Sequence, residues 1–391
     1  MTTSNTPRCP FETVPPEESN QINETTQLTV KLLEKRYAEK DKEILRGVHP
    51  KSHGCVKAIF EVNAGLDEVL QVGLFSQPKK FDAIIRFSNA EALVKPDIDE
   101  MGDHGSRGMA IKVFDVEGEM LLSDNSQHNQ DFLMINQPMF AFANTPDYLR
   151  LDRILYADND NPATFFDPLK LKDPRTPEQQ KQQIQQYVEK EKLSSEDINR
   201  IFDTFKIVQQ IKADAVANPL NVQYFSAAPF LFGADRVMKF SAKPRGIEGE
   251  TSLPENPSDN YLQQALEQTL KSDQAIVFDF MVQVREPSEA LEIENSSALW
   301  DEVEFPFINV ATVTIPSPQA EISSAQSKEQ CELLAYTPWH SLKAHQPIGS
   351  INRLRKSVYQ ASAEYRHRKP DIQHSFFTRI FLKIKCFLFG N

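Results

Sequence analysis

Short runs of β-branched and aromatic residues, separated by tight turns, recur along this chain and limit its fold more than any other feature. Ile59–Val62, Phe81–Asn89, Arg107–Phe114, Asp131–Asn136, Asn221–Ala227, Arg236–Ala242, Ile276–Val284 and Ile308–Ile315 each read as a strand. Val116-Glu117-Gly118 marks a turn into one more. Strands this short, with turns this tight, predict an antiparallel sheet or barrel. Helical spacing is confined to the stretches between and around them. Thr26–Arg46 places Leu28, Val30, Leu32, Leu33 and Tyr37 on one face. Thr176–Asn218, rich in Gln, Glu and Lys, reads as a helical pair broken near Leu193, with Ser194 and Asp197 spaced as a capping signal. Further helices are expected over Asn260–Lys271 and from about Ser350. Residues 1–25 are polar and proline-rich and read as a mobile arm. Nothing marks a linker, so the expectation is one domain over residues 26–372, with a helical insertion at 176–218 and a tail at 373–391.

Composition narrows the class. With 391 residues, 40% of them hydrophobic, the chain can bury a sizeable core. A net charge of −12 argues against nucleic acid as a partner. The four cysteines, Cys9, Cys55, Cys331 and Cys386, are widely spaced and form no CxxC pair, which suits a reducing compartment. The first residues lack a signal peptide's apolar core and no run reaches transmembrane length, so a cytoplasmic location is expected. The 26 phenylalanines suit either an ordinary core or an interior that holds something large and flat.

Two short patterns carry chemistry. Arg46-x-x-His49 sets a guanidinium three residues before an imidazole, at the lip of a strand. That is an acid/base group beside an anion-binding group; the plainer reading is a polar loop. Arg355 and Tyr359 are four apart on an expected helix and so share a face. A cation against the phenol favours the phenolate, a competent iron ligand. The plainer reading is a surface arginine beside a core tyrosine. Arg86-Phe87-Ser88 and Asn136-Gln137-Pro138-Met139-Phe140 stand between these two patterns. No metal-binding histidine spacing, phosphate-binding glycine loop or nucleophile elbow is present.

The order RxxH, RFS, a charged loop ending in RG before an apolar strand, NxPxF and a late RxxxY resembles the haem-binding core of catalases. It also resembles the small catalase-like haem proteins of bacteria, which carry segments like HPKSHG, PWH and PIGSINRLRKSVY. The resemblance covers about residues 40–370. It implies an α+β fold: an eight-stranded antiparallel β-barrel with surrounding helices. It implies haem b as cofactor, with Tyr359 as the iron ligand and Arg355 as its charge partner. His49 matches the distal histidine, Asn136 the distal asparagine that hydrogen-bonds peroxide, and Ser88 the serine that orients the histidine. Arg46, Arg86 and Arg366 match the arginines that grip the haem carboxylates. The implied activity is a haem-dependent hydroperoxidase, acting on hydrogen peroxide or on organic and lipid hydroperoxides through a ferryl intermediate, with an organic reductant as a further partner.

The match has departures. Pro50-Lys51-Ser52-His53-Gly54 is one residue longer than the usual stretch after the distal histidine, which leaves His53 as the alternative imidazole. Met109 stands where phenylalanine is usual, and the usual asparagine pair is Ile135-Asn136. Val48 precedes the histidine, as in true catalases; threonine there goes with rearrangement of fatty-acid hydroperoxides to allene oxides. That rearrangement, and haem binding without turnover, are the alternative functions. The larger catalases' C-terminal domain is missing, so their tetramer is not implied; a homo-oligomer and bound NADPH both stay open. In the tail, Arg379, Lys383 and Lys385 flank an apolar run, a pattern that suits a membrane surface, or docking on the domain or on another subunit.

Overall fold

A computed structural model describes residues 10–38, 43–122, 128–169, 192–246, 252–288, 291–319 and 324–367, together with residues 178–179, 181–182, 185–186, 189 and 322. The amphipathic tail lies outside the described residues, as does most of the first half of the expected helical pair.

Nine strands form one antiparallel sheet: β1 (Ser52–Val62), β2 (Lys80–Asn89), β3 (Arg107–Val113), β4 (Gln130–Ile135), β5 (Tyr224–Phe225), β6 (Phe230–Phe232), β7 (Arg236–Pro244), β8 (Ile276–Arg285) and β9 (Ile308–Ile315). The order is β5-β4-β3-β2-β1-β9-β8-β7-β6. β5 closes the ring by pairing Phe225 with Ile135 of β4, and Tyr224 with Ala242 of β7. The result is the expected eight-stranded barrel, with β6 added as a hairpin partner at the other end of β7. Among the described residues between Gly118 and β4 there is no strand; Met120 makes only an isolated bridge to Leu342.

Alternation decides which side chains fill the barrel. Val56, Ala58, Phe60 and Val62 of β1 point inward, as do Phe81, Ala83, Ile85 and Phe87 of β2. Phe60, Phe132, Phe240 and Phe280 meet at the centre, with ring centroids 4.6–5.7 Å apart. So phenylalanines pack the barrel itself. Whatever this protein binds at the expected residues lies outside that wall.

Helices lie around the barrel, among them α1 (Glu18–Arg36), α2 (Thr145–Ala157), α3 (Ser195–Ala213), α4 (Tyr261–Thr269), α5 (Ala325–Leu333) and α6 (Ser350–Arg366). The capping signal read before α3 is present in full: Ser194 Oγ accepts from Asp197 N–H, and the Asp197 carboxylate accepts from Ser194 N–H. α1 begins inside the stretch read as a mobile arm and ends at Arg36, ten residues short of expectation. Tertiary ion pairs explain the early start. Glu18 and Glu12 both bind Arg353 of α6, which also pairs with Glu294 at 2.6 Å, and Ser350 donates to Glu18 at 2.9 Å. At its other end α1 reaches the RxxH segment, where Arg36 donates to Gly47 O at 3.0 Å.

The cysteine reading is corrected. Cys55 of β1 and Cys331 of α5 form a disulfide, with Cα atoms 5.6 Å apart across 276 residues of sequence. Separation along a chain says nothing about separation across a closed barrel, and α5 lies directly on β1.

Candidate functional site

On β2, Phe87 points into the barrel, so its neighbours Arg86 and Ser88 point out. The RFS pattern is therefore one inward anchor between two outward polar groups. Ser88 Oγ lies 3.0 Å from His49 Nδ1, and Arg86 Nη2 donates to His49 O at 3.0 Å. His49 has φ +57°, in the left-handed region that a non-glycine residue rarely adopts. Its N–H donates to Glu91 O at 2.7 Å, which helps hold that backbone. The ring lies over Gly108, the residue of β3 paired with Ser88. A Cβ at 108 would sit 2.5 Å from His49 Nδ1 and 2.9 Å from Ser88 Oγ, so only glycine leaves room.

Burial, and then the charges of Arg86, Arg355 and Arg46, push the His49 pKa down to about 3. The imidazole is neutral at ordinary pH. Nδ1 is taken by Ser88, and Nε2 has no partner among the described residues. For Nε2 to accept a proton, Nδ1 must carry its hydrogen and donate it to Ser88.

Asn136 follows β4 in the same rank. Ser88, Gly108 and Ile135 are successive partners across β2, β3 and β4, so the Asn136 segment lies about 10 Å from Ser88 across the sheet. Its Oδ1 accepts from Arg107 N–H at 2.7 Å and from Ser106 Oγ at 3.1 Å. The oxygen is thus committed, and the amide's remaining polar end, Nδ2, is a donor.

His53 goes elsewhere. In the β1–β2 register Ser52 pairs with Ser88 and Gly54 with Phe87, so His53 is a bulge residue with no opposite number. The bulge absorbs the extra residue noted in the sequence. His53 Nε2 lies 2.9 Å from Asn89 Oδ1, in a buried network with Arg107, Asp97 and Lys51. Burial holds its pKa at about 4.

α6 brings the last pair. Arg355 Nη2 donates to Tyr359 Oη at 3.3 Å, its guanidinium stacks 5.1 Å from the Tyr359 ring, and Nη1 donates to Asn352 Oδ1 at 3.0 Å. Asn352, fully buried, in turn donates to Pro229 O at 2.8 Å and anchors the helix. α6 meets the RxxH segment directly, since Ser362 Oγ accepts from Gly47 N–H at 3.3 Å. The Arg355 charge acts on His49 from that side. Phe140 of the NxPxF pattern stacks on Tyr148 of α2 at 6.2 Å. Burial, then the charges of Asp152 and Tyr359, push the Tyr148 phenol up.

Arg46, Arg86 and Arg366 converge on a residue that motif reading missed. Glu332 near the end of α5 pairs with Arg46, lies 3.3 Å from Arg86 and 3.9 Å from Arg366. Burial raises the Glu332 pKa, and the three guanidiniums outweigh that and hold it below the ordinary carboxylate value. The PWH segment is structural: His340 Nδ1 lies 3.0 Å from Asp131, which binds buried Lys112 at 2.6 Å, and Trp339 Nε1 donates to Asn352 O at 2.8 Å. No group of three or more His, Cys, Asp or Glu side chains capable of holding a metal occurs among the described residues.

The fold, compared with solved structures, is similar to those of a fungal catalase, of catalase A from Saccharomyces cerevisiae and of a bacterial catalase. TM-scores are 0.55, 0.56 and 0.55, each at 15% sequence identity, over 85%, 85% and 87% of this chain. The chain has a catalase-like fold. It spans about three fifths of the length of these catalases, covering 61%, 63% and 60% of them. No protein-family model and no curated protein matches the sequence. No helix among the described residues is long and apolar enough to cross a membrane.

Proposed function

We propose that the outer face of β2–β4, together with α6, binds haem, and that the protein is a haem-dependent hydroperoxidase. The observation that carries this reading is a neutral imidazole with a free Nε2, held by Ser88 over Gly108 and sharing its surroundings with the Arg355–Tyr359 pair.

The residues present fit the cofactor. Arg46, Arg86 and Arg366 bring three positive charges against the one carboxylate of Glu332. The guanidiniums outnumber the carboxylate they contact, which suits the carboxylates of haem; Glu43 acts on Arg366 as a further negative group. The Nε atoms of Arg86 and Arg366 are buried with no hydrogen-bond partner among the described residues, so the cluster has donors to spare there. Tyr359 offers a phenol oxygen to which the Arg355 guanidinium donates at 3.3 Å, and a tyrosine oxygen is a known axial ligand type. Aromatic side chains at 140 and 148 supply an apolar wall nearby.

Haem, when bound, supplies the redox-active iron that takes up the oxidising equivalents of the peroxide. The chain's own groups do the rest. His49 accepts a proton at Nε2 from one peroxide oxygen and delivers it to the other, so the departing oxygen leaves neutral. Ser88 fixes the ring and its tautomer. Asn136 Nδ2 donates to the oxygen on which charge develops. Hydrogen peroxide and organic or lipid hydroperoxides share this requirement, and an organic molecule can serve as reductant.

The deciding experiment is an absorption spectrum of the haem-loaded protein before and after peroxide, with oxygen evolution followed in parallel. A spectral change with oxygen release or reductant oxidation is expected. Conversion of a conjugated-diene hydroperoxide to a ketol without added reductant would replace turnover by rearrangement, and a spectrum indifferent to every peroxide would leave haem binding alone. In Tyr359→Phe the haem band should be lost or grossly altered while the fold's circular dichroism stays.

A further inference from the structure

The three guanidiniums come from distant parts of the chain: Arg46 before β1, Arg86 in β2 and Arg366 at the end of α6. Like charges brought this close oppose each other. Burial first, and then Arg86 and Arg366, push the Arg46 pKa well below that of an ordinary arginine; burial holds Arg366 at about 10. Something must repay that repulsion before any ligand arrives.

The end of α5 is built for it. Glu332 Oε2 faces Arg46 and Arg366, and Oε1 faces Arg86. The backbone carbonyls around it take further donors: Arg46 Nη2 donates to Cys331 O at 3.1 Å and Leu334 O at 2.7 Å, while Arg366 donates to Glu332 O and, at 3.1 Å, to Leu334 O. These carbonyls lie at a helix C-terminus, which favours cations; Cys331 O also accepts the Leu334 N–H at 3.3 Å. The Cys55–Cys331 disulfide ties the residue before Glu332 to β1, so the carboxylate cannot withdraw with its helix. The buried Nε atoms of Arg86 and Arg366 still lack acceptors, so Glu332 does not saturate the cluster.

We propose that Glu332 is the positioning residue of this anion site: it assembles the three guanidiniums in the cofactor-free protein and stays among them when two further carboxylates are received. The first half stands on the geometry alone; the second rests on the haem reading above.

The test compares native protein with Glu332→Gln, which keeps shape and loses charge, and Glu332→Asp, which keeps charge. Two readouts are taken: melting of the haem-free protein at low and high salt, and haem titration followed at the Soret band. In Glu332→Gln the melting temperature should fall, more at low salt than at high, because salt screens the uncompensated cations. Haem affinity should fall about tenfold. Glu332→Asp should keep both near native. Unchanged melting in Glu332→Gln, or haem affinity equal to or tighter than native, would overturn the proposal and make Glu332 a bystander or a competitor. If Glu332→Gln is not recovered folded, Glu332→Asp decides: near-native behaviour supports the role of charge, and loss of both readouts overturns it. Should the native chain bind no haem, the functional reading fails, while the salt-dependent melting still judges Glu332.

Discussion

The inside of the barrel and its outer face are made by the same strands, yet they are opposite kinds of surface. Inside, Phe60, Phe132, Phe240 and Phe280 are fully buried against one another. Outside, one residue along on β2, Arg86 and Ser88 meet a strained His49 and a crowd of like charges. Alternation along a strand is what separates them. The interior gains free energy by excluding water and leaves nothing reactive. The outer face gives up part of that stability to a left-handed imidazole and to crowded guanidiniums, as sites that act on a ligand commonly do.

The sharpest way to break this contrast is to show that the two faces affect the same property. His49→Ala should lower peroxide turnover about 10²–10⁴-fold, the usual worth of a positioned acid/base group. Haem titration and melting temperature should hardly move. Phe280→Ala should do the reverse: a loss of roughly 3–5 kcal/mol in denaturant unfolding, from lost burial and the cavity left behind. Turnover per folded molecule should stay near native. If Phe280→Ala cut turnover as deeply as His49→Ala, the barrel interior would be part of the site.

Sequence alone reached one side of this contrast better than the other. Arg86, Ser88, Arg355 and Tyr359 were legible because a spacing of two on a strand, or four on a helix, puts residues on one face wherever the element ends up. The strands likewise followed from local pattern, apart from β5, which shrinks to two residues, and β6, which went unread. Glu332 was not legible: it meets Arg46 from 286 positions away, and no motif surrounds it. The Cys55–Cys331 bond was hidden for the same reason. The start of α1 at Glu18 depends on Arg353, also remote, so a polar stretch that looks unable to order itself is ordered by a partner. The different surroundings of His49 and His53 needed the strand register, where a single unpaired residue turns the His53 imidazole into the Asn89 network.

Gly108 tests how finely the outer face is tuned. Gly108→Ala places a methyl where the His49 ring and the Ser88 hydroxyl already lie, and β3, paired on both sides, cannot easily retreat. Overpacking of this kind costs about 1–3 kcal/mol of stability. Turnover should fall by more than the folded fraction does, because the ring that must move is the proposed base. Equal losses in both would mean the imidazole has no special placement to lose.

The finest comparison is between histidines, since burial neutralises both kinds. His345 is fully buried, accepts the Leu74 N–H at 3.1 Å and sits 5.2 Å from the Phe75 ring; burial holds its pKa at about 4, against 6.5 when free. His49 is held at about 3 by burial and by three arginines. A histidine whose folded pKa is depressed binds its proton more readily when unfolded. Stability is therefore full above about pH 6.5 and is lost as pH falls toward the folded value, by at most about 1.4 kcal/mol per pH unit for each such group. His345→Gln should flatten the slope of unfolding free energy between pH 6 and 5 and leave the pH profile of turnover where it was. The acid limb of that profile should follow His49 instead and lie near pH 3, as far as the protein stays folded. A limb near pH 6.5 would mean the His49 imidazole carries a proton at ordinary acidity, and the neutral base on which the proposed function rests would be lost.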